Sequence, residues 1–377
     1  MPRCPLLHPD VPYQPEIQNL LVDVWTREHW LNHFEQSTPA LVTMICAEHA
    51  DPAAVLPRAR AMEAEMLARY ATMRADPSCF ARGGVMELCR VREGLIQAHG
   101  FGDVYAPVKQ RENAVAMELL PAVVEGVLRR AQASGLDGFD RALDLAIRGC
   151  FAGNLFDMGS QTTARMHAEG GLDFIHWRDT RFAPGRWSGC NHIAQLAGHL
   201  QRFTQTAPLG QVIVLVDNAG ADIWLGVLPL VTLLSRRARG ILLAANRLPA
   251  LNDITAGELD ALLPAAGAAS PPVQALLDAG WIRVISTGND LPLIDLANVE
   301  EGFARACEEA LASGGPQNTL LILVGMGRSL ESNWDAAFRC PAVHLAVVKD
   351  ASVARSLGYG MLDCVCRFKP AGGPSAH

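Results

Sequence analysis

No Cys-x-x-Cys pair occurs in this chain, and its ten cysteines show no repeating pattern of close spacings. That pattern excludes a zinc ribbon and a disulfide framework. Several cysteines sit in apolar surroundings, as Cys46 does after Val42-Thr43-Met44-Ile45, where a free thiol behaves as a small hydrophobe. A reducing cytoplasm is the expected compartment. Charge is scarce as well: Asp, Glu, Lys and Arg make up 19% of the residues, and the net charge is −7. Without clustered Lys and Arg the chain cannot track a phosphate backbone, so nucleic acid is not an expected partner. A small anionic ligand in a local basic pocket remains compatible with that balance. The first residues hold no apolar stretch of signal-peptide length, and the uncharged runs 261–277 and 310–327 are interrupted by Pro264, Pro271 and Pro272 or by Gly314-Gly315-Pro316. No membrane span is expected. An HExxH helix, a P-loop lysine signature and a Ser/His/Asp array are also missing.

What is present is apolar. Half of the 377 residues are hydrophobic, enough for a large buried core in one big α/β unit or two domains. Residues 1–160 are expected to form a helical amino-terminal subdomain. Helices are predicted over Pro52–Met73, over Asn113–Ala133 with an interruption at Pro121, and over Phe139–Phe151. From Gln211 the pattern changes to strands alternating with helix-length segments, with strands predicted at 211–216, 241–245, 281–286, 319–324, 343–348 and 362–368. That alternation predicts a doubly wound, mostly parallel sheet in a Rossmann-like three-layer α/β domain over 211–369. Residues 161–210 are expected to connect the two parts, and 370–377 to be a frayed tail.

Two strands run into oxygen-bearing side chains. Val212-Ile213-Val214-Leu215-Val216 leads to Asp217, Asn218 and Asp222, and Ile241-Leu242-Leu243-Ala244-Ala245 leads through Asn246 to Asn252 and Asp253. Ligands of open parallel sheets bind beyond the carboxyl ends of strands. Oxygen-only donors there suit a hard divalent cation, although Asp and Asn at such positions also serve as helix caps. A third strand ends in Gly325-Met326-Gly327-Arg328, where glycines admit backbone N–H groups to an anion and Arg328 can bind phosphate bidentately. Lys349 follows the next strand as a point charge for phosphate. Asn154 and Asp157, polar residues in an apolar stretch, are candidates for lining the site from the helical part. Ala219 occupies the third position of the motif that Asp217 would open, which removes the Asp-x-Asp pair of aspartyl phosphatases.

Taken in order, Val108 to Asn113, Ala152 to Asp157, Asp217 to Ile223, Pro249 to Thr255, Gly325 to Arg328 and Val347 to Lys349 resemble the metal-dependent damage-control phosphatase family. The branch they are most similar to is the phosphatase domain of pantothenate kinase-like proteins. The likeness covers roughly residues 5 to 369. It implies a divalent metal (Mn²⁺, Co²⁺, Ni²⁺ or Mg²⁺) held by Asp217, Asn218 and Asp253. It also implies a substrate phosphate facing Gly325, Met326, Gly327, Arg328 and Lys349, with Asp217, Asp253, Arg328 and Lys349 in the catalytic set. The expected activity is hydrolysis of small phosphomonoesters, phosphopantetheine or its damaged forms. A sugar-phosphate preference is the alternative within the family, and a homo-oligomer is compatible with it. The branch usually carries Glu where this chain has Val324. Outside the family, a dinucleotide- or S-adenosylmethionine-binding enzyme would use the glycine turn without metal, and a non-catalytic phosphometabolite-binding protein would bind esters without turnover.

Overall fold

A computed structural model describes residues 1–132, 136–155 and 174–372. Five long helices come first: α1 (Val24–Glu48), α2 (Pro52–Ala75), α3 (Val85–Ala98), α4 (Ala106–Gln132) and α5 (Leu136–Leu155). The chain continues through α6 (Phe174–Thr180), β1 (Gly189–Asn191), α7 (Ile193–Leu200), β2 (Gln211–Leu215), α8 (Leu228–Leu234) and β3 (Ile241–Ala245). It ends with α9 (Ala256–Ala269), α10 (Pro271–Asp278), β4 (Ile282–Ser286), α11 (Glu301–Gly314), β5 (Thr319–Val324), β6 (Ala342–Val347), α12 (Ala351–Leu357) and β7 (Cys364–Lys369). Helix α4 runs through Pro121 as a single element of 27 residues.

The seven strands form one sheet in the order β1-β7-β6-β5-β2-β3-β4. All neighbours pair in parallel except β6 and β7, which are antiparallel. The six strands expected from the sequence are all there. The sequence missed β1, only three residues long, and the reversed direction of β7. A three-residue strand carries too little periodicity to stand out, and an apolar run says nothing about which way its neighbour points.

Strand alternation explains the layers. Val212, Val214, Ile322, Val324, Leu345 and Val347 face one side, packing with α4, α5 and α8, while Ile213, Leu215, Leu321 and Leu323 face α11 and the amino-terminal Leu6 and Leu7. Because both faces are covered, the central strands β2, β3, β5 and β6 are apolar at nearly every position rather than at alternate ones. Helices α1, α2 and α3 gather around Trp30, Phe34, Met62, Met66 and Tyr70, and that cluster joins the sheet through Leu291, Leu293, Val348 and Val353. All ten cysteines are free thiols. Among the described residues no helix is long and apolar enough to cross a membrane.

Strand order fixes where a ligand can sit. From β2 the chain moves outward to β3, and from β5 it moves the opposite way to β6, so the sheet reverses between two hydrogen-bonded neighbours. Outside the carboxyl ends of β2 and β5 the connections diverge and leave a crevice.

Candidate active site

Asp217 leaves β2 at this switch point and Gly325 leaves β5 beside it. Gly325 has φ +91°, and a Cβ there would collide with the Asp217 carboxylate. Only glycine allows that approach. The end of β2 is tied to the segment after β3 by backbone: Ile254 N donates to Asp217 O at 3.0 Å and Ala219 N to Asn252 O at 2.9 Å. Asn218 and Asp253 form an antiparallel bridge. The two acidic strand ends therefore converge. Neither caps a helix: α9 is capped by Thr255 in a reciprocal box with Glu258, and Asp253 stays outside it.

Arg328 lies between the two carboxylates. Its Nη1 pairs with Asp217 Oδ1, and its Nη2 donates to Asp253 Oδ2 and to Asn246 Oδ1, each at 2.9 Å. The guanidinium is 2% exposed. Burial alone would lower its pKa, but Asp253 and Asp217 outweigh that and hold it above the ordinary arginine value. The sequence suggested a phosphate clamp at this position. In the fold the side chain turns inward and fixes the acidic pair, while Met326 and Gly327 of the same turn line the cavity.

Helix α5 supplies Asn154 from the opposite side. Its Nδ2 donates to Asp217 Oδ2 at 3.2 Å and to Asp222 Oδ2 at 3.1 Å, and its Oδ1 accepts from Val347 N at 3.3 Å. Gly153 makes this reach feasible, since a Cβ there would lie 2.7 Å from Ala221 O. Lys349 Nζ donates to Asn154 O at 3.0 Å and borders the cavity. Asp157 lies outside the described residues.

The cavity has a volume of about 290 Å³ and is lined by Asp217, Asn218, Asp253, Lys349 and Glu331 on the sheet side. Its opposite wall comes from the amino-terminal region, where apolar Trp30, Phe34, Val85 and Cys89 stand beside His33, Arg92 and Tyr105. Val324 is fully buried in the layer under α5 and is not among the described residues that line the cavity.

Asn113 and Lys109 hold the scaffold. Asn113 Oδ1 accepts from Gly220 N at 2.8 Å and from Trp224 Nε1 at 2.7 Å, fixing the turn after Asn218. Buried Lys109 bridges Asp103 at 2.6 Å and Glu258 at 2.7 Å, and reaches Asp253 O at 3.4 Å. Their signal in the sequence was membership in the Val108 to Asn113 segment, not any pattern of their own.

Two carboxyls here are displaced from their usual range. Burial, then the Asp217 charge, push Asp222 up to about 7, against the Asn154 hydrogen bond and Lys349. Burial, then Asp350 and Glu16, push Glu331 up to about 8, against Lys349. Folding thus takes up a proton at Glu331, whose ordinary value is 4.5. The stability of that neutral carboxyl is complete below pH 4.5 and lost as pH rises through about 8. In thermal scans of metal-free protein, Glu331→Gln is expected to match the wild type at pH 4.5 and to gain on it steadily up to pH 8. A constant difference across that range would refute the assignment.

The donor set fits a divalent cation. Asn218 donates its amide N–H to Asp217 at 3.0 Å and Asp222 at 3.2 Å, while its Oδ1 accepts nothing among the described residues. Asp222 Oδ1 is buried and likewise has no partner. All these atoms are hard oxygens. Among the described residues no group of three or more His, Cys, Asp and Glu is placed to hold a metal ion by itself. Two carboxylates and an amide make a partial shell of the kind that water and substrate phosphate oxygens fill out.

A doubly wound sheet whose switch point carries paired carboxylates, an arginine, a lysine and a glycine turn defines an α/β enzyme built for phosphate esters. The damage-control phosphatase ARMT1-like domain matches residues 26–365 of this chain. A damage-control phosphatase of Arabidopsis thaliana is 32% identical over 90% of this chain and 87% of its own length. Pantothenate kinase 2 of the same plant is 30% identical over 97% of this chain, and a mouse 4'-phosphopantetheine phosphatase is 26% identical over the same share. The chain spans 41% of that kinase and 48% of the mouse protein. In structure it is similar to a DUF89 family protein from Pyrococcus horikoshii, with a TM-score of 0.60 at 17% identity over 89% of this chain and 96% of the other. The chain belongs to the ARMT1-like damage-control phosphatase family, and it is a phosphatase.

Proposed function

We propose that this protein hydrolyses phosphomonoesters whose leaving group is an extended, largely apolar alcohol, with phosphopantetheine or its damaged forms as the substrate. The observation that carries this reading is the cavity's division. A wall of Trp30, Phe34, Val85 and Cys89 stands opposite the Asp217, Asp253 and Lys349 cluster. A pantetheine arm would bury methyl and methylene groups against these apolar side chains, whereas a sugar, with a hydroxyl on nearly every carbon, would bury far less apolar surface there. The mouse relative's name points the same way. A cytoplasmic location suits the ten free thiols.

Asp217, Asn218 and Asp253 would hold a divalent ion (Mn²⁺, Co²⁺, Ni²⁺ or Mg²⁺). Such an ion supplies Lewis-acid polarisation of a phosphoryl oxygen when bound. Arg328 keeps both carboxylates oriented. Lys349 places positive charge where the transferring phosphoryl group accumulates negative charge, and the Met326–Gly327 backbone borders the same space. Asn154 orients Asp217 and Asp222 from α5.

After chelation and dialysis the protein is expected to release no phosphate from phosphopantetheine, and one of these four ions is expected to restore release. With the ion present, kcat/KM for phosphopantetheine should exceed that for hexose phosphates by about tenfold or more, the discrimination of a hydrophobic pocket. Equal rates would favour the sugar-phosphate reading, and binding without turnover in every metal would leave a phosphometabolite-binding protein.

A further inference from the structure

We propose that Glu331 is the general acid of the reaction, protonating the oxygen that departs with the alcohol. This rests on the phosphatase reading above and adds to it a residue that neither the strand-end motifs nor the metal set includes. Glu331 closes the single turn Gly327–Glu331 that carries Arg328, so the element that anchors the acidic pair also presents this carboxyl to the cavity.

Three features of its surroundings carry the assignment. First, Glu331 is 6% exposed, and its carboxyl makes no hydrogen bond or ion pair among the described residues. A buried ionised carboxyl without partners is strongly disfavoured, so its stable form is the neutral acid. Second, the groups facing it are engaged elsewhere. Glu16 accepts from Gly84 N at 2.6 Å and Met86 N at 3.0 Å. Asp350 pairs with His29 at 2.8 Å, Arg92 with Glu93 at 2.8 Å, and Lys349 with Asn154 O at 3.0 Å. Burial lowers the pKa of His33 on α1. Third, the other carboxyls of the site are held where they cannot hand a proton to the leaving oxygen. Asp217 and Asp253 are bound to Arg328, and Asp222 sits beneath them against Asn154 and Asn218. Burial and the neighbouring Asp350 and Glu16 agree with the geometry, leaving the proton on Glu331 up to about pH 8.

In the step itself the ester P–O bond breaks and its electron pair goes to the departing oxygen. That oxygen takes the Glu331 proton and leaves as the alcohol. Phosphorus gains a new P–O bond from the attacking oxygen, one water is consumed overall, and the proton that water gives up restores Glu331. The balance is ester plus water to alcohol plus phosphate.

Leaving-group chemistry tests this directly. An alkyl alcohol needs protonation to depart, whereas p-nitrophenolate does not. In metal-loaded enzyme, Glu331→Gln is expected to lower kcat for phosphopantetheine by about 10²–10⁴-fold and to change kcat for p-nitrophenyl phosphate by less than about threefold. The wild-type rate on phosphopantetheine should fall as pH rises through about 8, and the variant should lose that limb. Glu331→Asp, with the carboxyl on a shorter stem, should recover part of the alkyl-ester rate. Equal losses on both esters, or no loss on either, would overturn the assignment while leaving the phosphatase reading in place. A wild type inert towards both esters in every metal would overturn both.

Discussion

Asp217→Asn is expected to lower metal-restored phosphate release by about 10²-fold or more, the scale on which loss of one electrostatic element of an active site is felt. The substitution is nearly isosteric, so it separates charge from shape. Asp217 stands where the sheet's connections diverge between two paired strands, and among the described residues it is the carboxylate in contact with Arg328, Asn154 and Asn218 together. An amide keeps some of those hydrogen bonds but supplies no charge to a divalent ion. A second reading is available without turnover: Mn²⁺ should raise the melting temperature of the wild type and fail to raise that of the variant, because a ligand stabilises only the state that binds it. Removing the Asp217 charge also takes away one of the forces holding Asp222 near 7, so the Asp222 carboxyl should titrate lower. A variant that keeps both full activity and the metal-dependent shift would remove Asp217 from the metal set.

Arg328→Met should have the larger effect on stability. Taking away one partner of a buried ion pair costs about 3–5 kcal/mol, because the other charge is left uncompensated. Here two carboxylates, Asp217 and Asp253, would both lose the guanidinium that lies between them. For a chain of this size that loss should lower the melting temperature by on the order of 10 °C in metal-free buffer. Divalent metal should recover much of the loss, and should shift the variant further than it shifts the wild type, since the ion and the guanidinium offset the same charges. Differential scanning fluorimetry with and without millimolar Mn²⁺ checks this. An unchanged melting temperature in metal-free buffer would show that the guanidinium is not what holds the acidic pair.

Much of the fold could be read from the chain because its central strands are buried on both faces. Runs such as Leu320-Leu321-Ile322-Leu323 have no other stable use in a molecule this size. The convergence of Asp217 and Asp253 was foreseen for the same reason: both follow such runs, and parallel strands bring their carboxyl ends to one edge. Arg328 was placed at the right edge and assigned to the substrate phosphate, and in the fold it pairs with Asp217 and Asp253. A sequence position gives the element, not the rotamer, and the nearest strong charges to that arginine are 75 and 111 residues away in the chain. Glu331 gave no signal at all, since one acid in Arg328-Ser329-Leu330-Glu331 looks like a solvated turn until burial is known.

By itself the sequence determined the sheet, its apolar layers and the acidic strand ends, because each follows from local hydrophobic patterning and the short reach of the backbone. Only the tertiary structure decided the order of the strands, the reversal of β7, the inward course of Arg328 and the isolation of Glu331. Those depend on long-range pairing and on the loss of water around particular side chains, and neither quantity is written in any short stretch of residues.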